Sequence, residues 1–275
     1  MFDPQLGVSL HMLQGNLSIA LLEAVTNSRI ATLEISDWLF DAHDREVALT
    51  LLNAFLEPDT LRAMTIHARF GSAYDLSSLD PETRQRGLGA IDSALDLART
   101  LNAPIIVVHA SAEPIAPDQR RQRLDQAREM LVRVSARCQQ AGKQMAVELL
   151  PRTCLGNTVD ELWALLEGLD RRTCGVCLDT NHLMDRHRSL PQVVRRLGDR
   201  LLTLHLSDYD GIDEQHALPG QGVLDWRAFM QALQAIDYAG PFNYESRFEE
   251  KTIRERIERL ENNFDWLSAL MSDPA

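Results

Sequence analysis

The sequence predicts an α/β protein built as one domain, a (β/α)8 barrel spanning residues 1–275. Three observations carry that expectation. Short apolar runs recur eight times, amphipathic stretches lie between them, and nearly every run ends in a polar or charged residue. A doubly wound sheet could also use eight strands, but it gives no reason for polar groups at the carboxyl end of almost all of them. In a barrel those ends converge on one mouth, where active sites lie. A chain of 275 residues, 45% of them hydrophobic, suffices for a single large core.

The runs, in order, are GVSLHM (7–12), IATLEIS (30–36), AMTIHAR (63–69), PIIVVHAS (104–111), QMAVELLP (144–151), CGVCLDT (174–180), LLTLHLSD (201–208) and PFNYES (241–246). Their length and their Val, Ile, Leu and Thr content suit parallel strands buried on both faces. Helical spacing of apolar residues marks 84–103 (Leu88, Ile91, Leu95, Leu101) and 118–143 (Leu124, Met130, Leu131, Val134). The same pattern marks 157–169, with Asn157 or Thr158 as N-cap, 224–236, with Asp225 as N-cap, and a last helix over IRERIERLENNFDWLSAL.

Charge and composition narrow the partners. The chain has 28 basic and 40 acidic residues, a net charge of −12. Such a surface repels phosphate backbones and favours a small ligand over nucleic acid. One basic cluster, Arg120, Arg121, Arg123 and Arg128, falls on the predicted helix 118–143 and reads as a solvated face of the outer wall. No apolar run approaches the roughly 20 residues of a membrane span, and the N-terminus lacks the regions of a signal peptide. The expectation is a soluble, cytoplasmic protein without a membrane partner. Cys174 and Cys177 form a CxxC spacing, but on a strand residues three apart point to opposite faces. They and Cys138 and Cys154 are expected to be buried thiols.

The strand ends supply a list of chemically capable groups: Glu34, His67, His109, Glu148, Asp179 followed by His182, His205 with Asp208, and Glu245. Any one of them could be ordinary hydrogen-bonded structure. Several unpaired carboxylates converging on one partly buried rim would repel strongly. A divalent cation removes that cost. Three carboxylates (Glu148, Asp179, Glu245) and one imidazole (His205) suit one Mn2+, Mg2+, Co2+ or Zn2+ ion and need no thiolate. After the seventh run, DEQHALPGQGVLDW (213–226) contains a Pro219-Gly220-Gln221-Gly222 turn that brings backbone near the mouth and positions His216. Trp38 and Phe70, just past the second and third runs, are candidates for an apolar wall or for core.

AVELLP, CLDTNHL, LHLSDYDG, HALPGQGVLDW and YES stand in an order and spacing that resemble the xylose isomerase-like TIM barrel superfamily, along essentially the whole chain. The likeness is to its sugar isomerase and epimerase branch, which includes ketose 3-epimerases and hydroxypyruvate isomerases. The resemblance implies one metal held by Glu148, Asp179, His205 and Glu245. It implies Glu148 and Glu245 as the acid/base pair and His182 as a contact to substrate oxygens. His216, His109, His67 and Glu34 complete the implied substrate surroundings. The implied activity is a metal-dependent isomerase of a ketose or related keto-sugar. The metal would polarise the carbonyl and stabilise an enediolate while the two carboxylates move the proton. Epimerisation, isomerisation and dehydration all remain open. The implied assembly is a homodimer or homotetramer. One departure is visible: ketose 3-epimerases commonly carry an Arg before the Pro-Gly turn, where this chain has His216.

The same superfamily includes endonuclease IV-type enzymes, which act on abasic DNA with three zinc ions. His67, His109, Glu214 and His216 stand at comparable places, so a trinuclear zinc phosphodiesterase is the alternative. The acidic balance opposes it. A sugar-derivative dehydratase or lyase, or a barrel that binds a sugar without metal, are further readings on the same scaffold.

Overall fold

The structure, a computed structural model, describes residues 2–57 and 59–271; Met1, Pro58 and residues 272–275 of the expected 1–275 domain lie outside the described residues. Eight strands alternate with helices: β1 (Leu6–Ser9), β2 (Thr32–Ser36), β3 (Arg62–His67), β4 (Ile105–Val108), β5 (Gln144–Glu148), β6 (Cys174–Asp179), β7 (Leu201–His205) and β8 (Phe242–Tyr244). Each overlaps one of the eight apolar runs. All pairings between neighbours are parallel, in the order β7-β6-β5-β4-β3-β2-β1-β8. A parallel bridge between Leu206 and Tyr244 joins the two ends, so the sheet closes into a (β/α)8 barrel.

The helices are α1 (Leu10–Leu13), α2 (Ile19–Thr26), α3 (Arg45–Asn53), α4 (Pro81–Thr100), α5 (Arg120–Ala141), α6 (Val159–Leu165), α7 (Leu190–Leu197), α8 (Trp226–Ala235) and α9 (Ile253–Ala269). α4, α5, α6, α8 and α9 are the five predicted ones. Thr158, not Asn157, caps α6 by accepting from Glu161 N, and Asp225 caps α8 by accepting from Ala228 N. The sequence pattern did not single out α2, α3 or α7. They run only eight or nine residues, and two turns give a weak periodic signal.

Strand alternation sorts side chains between two cores. Ile106, Val108, Val147, Val176 and Leu178 face the helices in the large outer cluster. Ile105, Val107, Ala146 and Cys177 pack inside the barrel with Leu202. Cys174 belongs to the outer cluster and Cys177 to the inner one, so the CxxC spacing brings no thiol pair together. All four cysteines are buried and unbonded. Burial pushes the thiols of Cys138 and Cys154 up to about 12 and that of Cys177 well above its ordinary value. The folded protein is therefore expected to resist a disulfide-exchange reagent at pH 8 and to release four reactive thiols only on denaturation. Fewer than four after denaturation would show an unexpected disulfide.

The basic cluster on α5 departs from a solvated face. Arg123 is buried and reaches Asp75 and Ser77 on the β3–α4 connection, with Nε donating to Ser77 Oγ at 3.1 Å. Arg120 pairs with Glu161 at 2.6 Å, and Arg128 pairs with Glu167 at 2.5 Å. Acidic neighbours from other elements thus pair with three of the four arginines. Among the described residues no helix is long and apolar enough to cross a membrane.

Candidate metal centre and active-site cavity

The strand ends place the polar groups in a ring. His67, Glu148, Asp179 and His205 are the last residues of β3, β5, β6 and β7; His109 and Glu245 directly follow β4 and β8. Strand register sets Asp179 beside His205, while Glu148 pairs with Cys177, two residues before Asp179 on β6. Glu148, Asp179 and His205 are almost fully buried, and Glu245 keeps a 14% exposed side chain.

One ligand atom each from Glu148, Asp179, His205 and Glu245 lies within 4.8 Å of the other three. His205 Nδ1 is 2.9 Å from Glu245 Oε2 and 3.5 Å from Glu148 Oε1. Yet His205 Nδ1 and Asp179 Oδ2 are buried without a hydrogen-bond partner. Buried polar atoms are normally satisfied, so two orphans facing two further carboxylates fit a cation. Orientation agrees. His205 Nε2 donates to Glu34 Oε2 at 3.0 Å, which leaves Nδ1 free to ligate, the arrangement in which a carboxylate fixes the tautomer of a metal-binding imidazole.

Glu34 thus stands behind the ring, not on the cavity wall. It is fully buried, and Ser9 Oγ at 2.6 Å, Thr65 Oγ1 at 2.9 Å and His205 occupy its oxygens. The structure brings it to His205 and not to a place where it could touch a bound molecule. His67 and His109 converge on Glu148 Oε2, with their Nε2 atoms at 3.2 and 3.0 Å. His182 Nδ1 donates to Leu149 O at 2.9 Å, while its Nε2 lies 3.5 Å from Asp179 Oδ2. His216 Nδ1 donates to Glu245 O at 3.0 Å.

Electrostatics follows from crowding. Burial opposes the charge on Glu148, but His109 and His205 outweigh it and hold its pKa well below the usual carboxylate range. Burial raises the pKa of Asp179, and the nearby imidazoles of His182 and His216 oppose that without outweighing it. Burial opposes protonation of His205, but Cys177, Glu245, Glu34 and Glu148 lift its pKa well above the ordinary value. The carboxylates likewise raise the pKa of His67 and His216 against burial, whereas burial wins at His109 and lowers it.

Above the ring opens a cavity of about 310 Å3, lined by His67, His109, Glu148, His182, His216 and Glu245 together with Phe70, Glu113, Arg152 and Glu214. That is the small end of the ~300–1,000 Å3 range of small-molecule sites. Phe70 supplies its apolar wall and stacks on His109 with ring centroids 4.2 Å apart. Trp38 stands edge-on behind Phe70 and His67. Sequence reasoning missed Glu113 and Arg152, because neither sits at a strand end and nothing local marks them as cavity residues.

The seventh loop is organised from beneath. Asp208, fully buried, accepts from Tyr209 N at 3.0 Å, Gly220 N at 2.8 Å, Leu224 N at 3.1 Å and Trp226 Nε1 at 2.8 Å. Gly222 is required here: a Cβ would lie 2.6 Å from Asp208 Oδ1 and collide with Tyr209 O. The Asp of LHLSD therefore builds the loop that carries Glu214 and His216, while the His three residues before it faces the ring.

A closed parallel barrel with a carboxylate and imidazole ring at the carboxyl ends of its strands belongs to the class of barrels that can hold a divalent cation beside a small polar cavity. The chain belongs to the xylose isomerase-like TIM barrel family, whose profile matches residues 29–268. It is 32% identical to the uncharacterized protein y4fM of Sinorhizobium fredii over 178 residues, 62% of this chain and 56% of that protein. It is 28% identical to an L-ribulose 3-epimerase of Methylomonas sp. over 215 residues, 76% and 71% of the two chains. A D-allulose 3-epimerase of Methylomonas sp. has the same fold, with a TM-score of 0.81, 21% identity, and coverage of 98% of this chain and 99% of that one.

Proposed function

We propose that the protein is a divalent-metal-dependent sugar isomerase or epimerase acting on a ketose or related keto-sugar. The observation that carries the proposal is the convergence of Glu148, Asp179, His205 and Glu245 within 4.8 Å, two of their ligand atoms buried and unpartnered, beside a cavity that Glu148 and Glu245 line. The related L-ribulose 3-epimerase supports the substrate class. These four residues would hold the ion, which when bound polarises a substrate carbonyl and makes the adjacent C–H acidic.

The chain's own groups do the rest. Glu148 and Glu245 flank His205 Nδ1 from strands three places apart round the barrel. One removes the proton from carbon and the other returns it. His67 and His109 steady Glu148 Oε2, leaving Oε1 toward the ring centre. His182 and His216, each anchored through Nδ1 to a backbone carbonyl and facing Glu214 Oε1 through Nε2, line the cavity wall that a substrate would meet. Phe70 gives the carbon skeleton an apolar face.

A specific observation keeps the zinc phosphodiesterase reading as the second one. Two further donor groups, His67 with Glu148 and His205, and Asp179 with His182 and His216, also lie within 4.8 Å. Metal stoichiometry separates the two. Protein purified without chelator is expected to contain about one Mn, Mg, Co or Zn per chain and to exchange solvent deuterium into a ketose. Close to three Zn per chain would favour the phosphodiesterase; no uptake of any supplied metal would reject both. Loading should be linked to protons, because ligation needs His205 Nδ1 unprotonated while the surrounding carboxylates favour the protonated ring. Metal affinity therefore falls as pH falls, which calorimetry in buffers of different ionisation enthalpy measures.

A further inference from the structure

Three loops meet over the cavity at one side chain. Arg152, four residues beyond Glu148, has φ 47°, a left-handed conformation that a non-glycine residue keeps only when its surroundings hold it. Its Nη1 lies 3.0 Å from Glu113 Oε1 on the β4–α5 loop and 2.9 Å from Glu214 Oε2 on the β7–α8 loop. Its Nη2 lies 2.8 Å from Asp213 Oδ1 on that second loop. Arg152, Glu113 and Glu214 all line the cavity.

Glu214 carries the connection inward. Its Oε1 is 2.9 Å from His216 Nε2 and 3.4 Å from His182 Nε2. Backbone carbonyls already fix the Nδ1 side of both rings, so Glu214 sets the direction of the other nitrogen in each. The Arg152 side chain is 37% exposed, and an isolated exposed ion pair contributes only ~0–1 kcal/mol to stability. A network of four charged side chains across three loops contributes more than an isolated pair, but its distinguishing feature is its geometry. It is well explained as a device that fixes direction, since a planar fork of donors can hold several carboxylates at set angles.

We propose that Arg152 is a positioning residue of this site. Acting through Glu214, it holds the imidazoles of His182 and His216 at the cavity wall, and through Glu113 it keeps the β4–α5 loop over the same opening. The kinetic consequence rests on the sugar-acting reading; the geometric consequence does not.

The experiment compares Arg152→Met, Arg152→Lys, Glu214→Gln and the Arg152→Met/Glu214→Gln double variant in the full chain. With a ketose that the wild type turns over, Arg152→Met is expected to raise KM roughly tenfold with a smaller change in kcat, at unchanged metal content. Arg152→Lys keeps the charge but not the fork and should fall between. In the Glu214→Gln background, Arg152→Met should add less than about twofold, because both changes cut one chain of contacts. A KM within twofold of wild type for Arg152→Met, or effects that multiply in the double variant, would overturn the proposal. A second readout needs no turnover: in histidine side-chain 15N NMR, the signals of His182 and His216 should shift or broaden in Arg152→Met while the distant, exposed His43 stays put. Unmoved His182 and His216 signals overturn the proposal whatever the catalysis. A wild type inactive on every ketose counts against the sugar-acting reading alone.

Discussion

Glu148→Gln and Glu245→Gln, made separately, are each expected to lower deuterium exchange into a ketose by at least about a thousandfold, within the ~10²–10⁴ contributed by a positioned acid or base. Glutamine keeps the size of the side chain and one oxygen able to ligate, but it cannot carry the proton. Metal content measured on the same samples separates lost proton transfer from lost metal. The two variants should differ in stability. Glu148 is buried with His67 and His109 on one oxygen and His205 beside the other. Neutralising it weakens the shared acceptor that these buried imidazoles face. Glu245 is partly exposed and has fewer imidazole neighbours, His205 Nδ1 at 2.9 Å from one oxygen and His11 Nε2 at 3.9 Å from the other. Glu148→Gln should therefore lower the unfolding midpoint more than Glu245→Gln does. Retained exchange in both variants would reject the acid/base assignment.

The largest effect on stability is expected at Asp208, outside the ring. Asp208→Ala removes the acceptor for three backbone N–H groups and the Trp226 indole. A buried donor left unmet costs about 1–3 kcal/mol. Even if water recovers part of this, the loss should reach about 4 kcal/mol, a fall in Tm of roughly 8 °C or more. Asp208→Asn keeps one acceptor oxygen and turns an NH2 toward two of the donors, so it should recover only part. Both variants free the loop that carries Glu214 and His216, and should weaken substrate binding besides. Thermal unfolding followed by circular dichroism tests this. A change under about 1 kcal/mol for Asp208→Ala would show that the loop does not depend on the carboxylate.

The barrel and its ring were legible in the sequence because both rest on local repetition. A strand buried on two faces must be an apolar run, as IIVV and CGVCLD are, and a functional group at its end must interrupt that run. His67, Glu148, Asp179 and His205 each do so at the last strand position. Closure of the barrel then brings together what eight separate strand ends offer. Cys174 and Cys177 were legible by the same rule, since alternation sends them to opposite cores.

What escaped the sequence depends on direction and partnership between distant loops. Glu34 has the same local signature as Glu148, yet Thr65 and Ser9 hold it behind His205. Arg123 resembles the neighbouring arginines of its helix, yet it alone turns inward to Asp75 and Ser77. Arg152 carries no motif, and its place over the cavity follows from Glu113, Asp213 and Glu214 on two other loops. The sequence by itself determined the eight-strand barrel and the donor types at its mouth, because periodicity and burial are written residue by residue. Only the tertiary structure decided which donors face one point, which stand behind them and which arginine spans the opening, because those depend on side chains that are 25 to 171 residues apart and meet only once the barrel has closed.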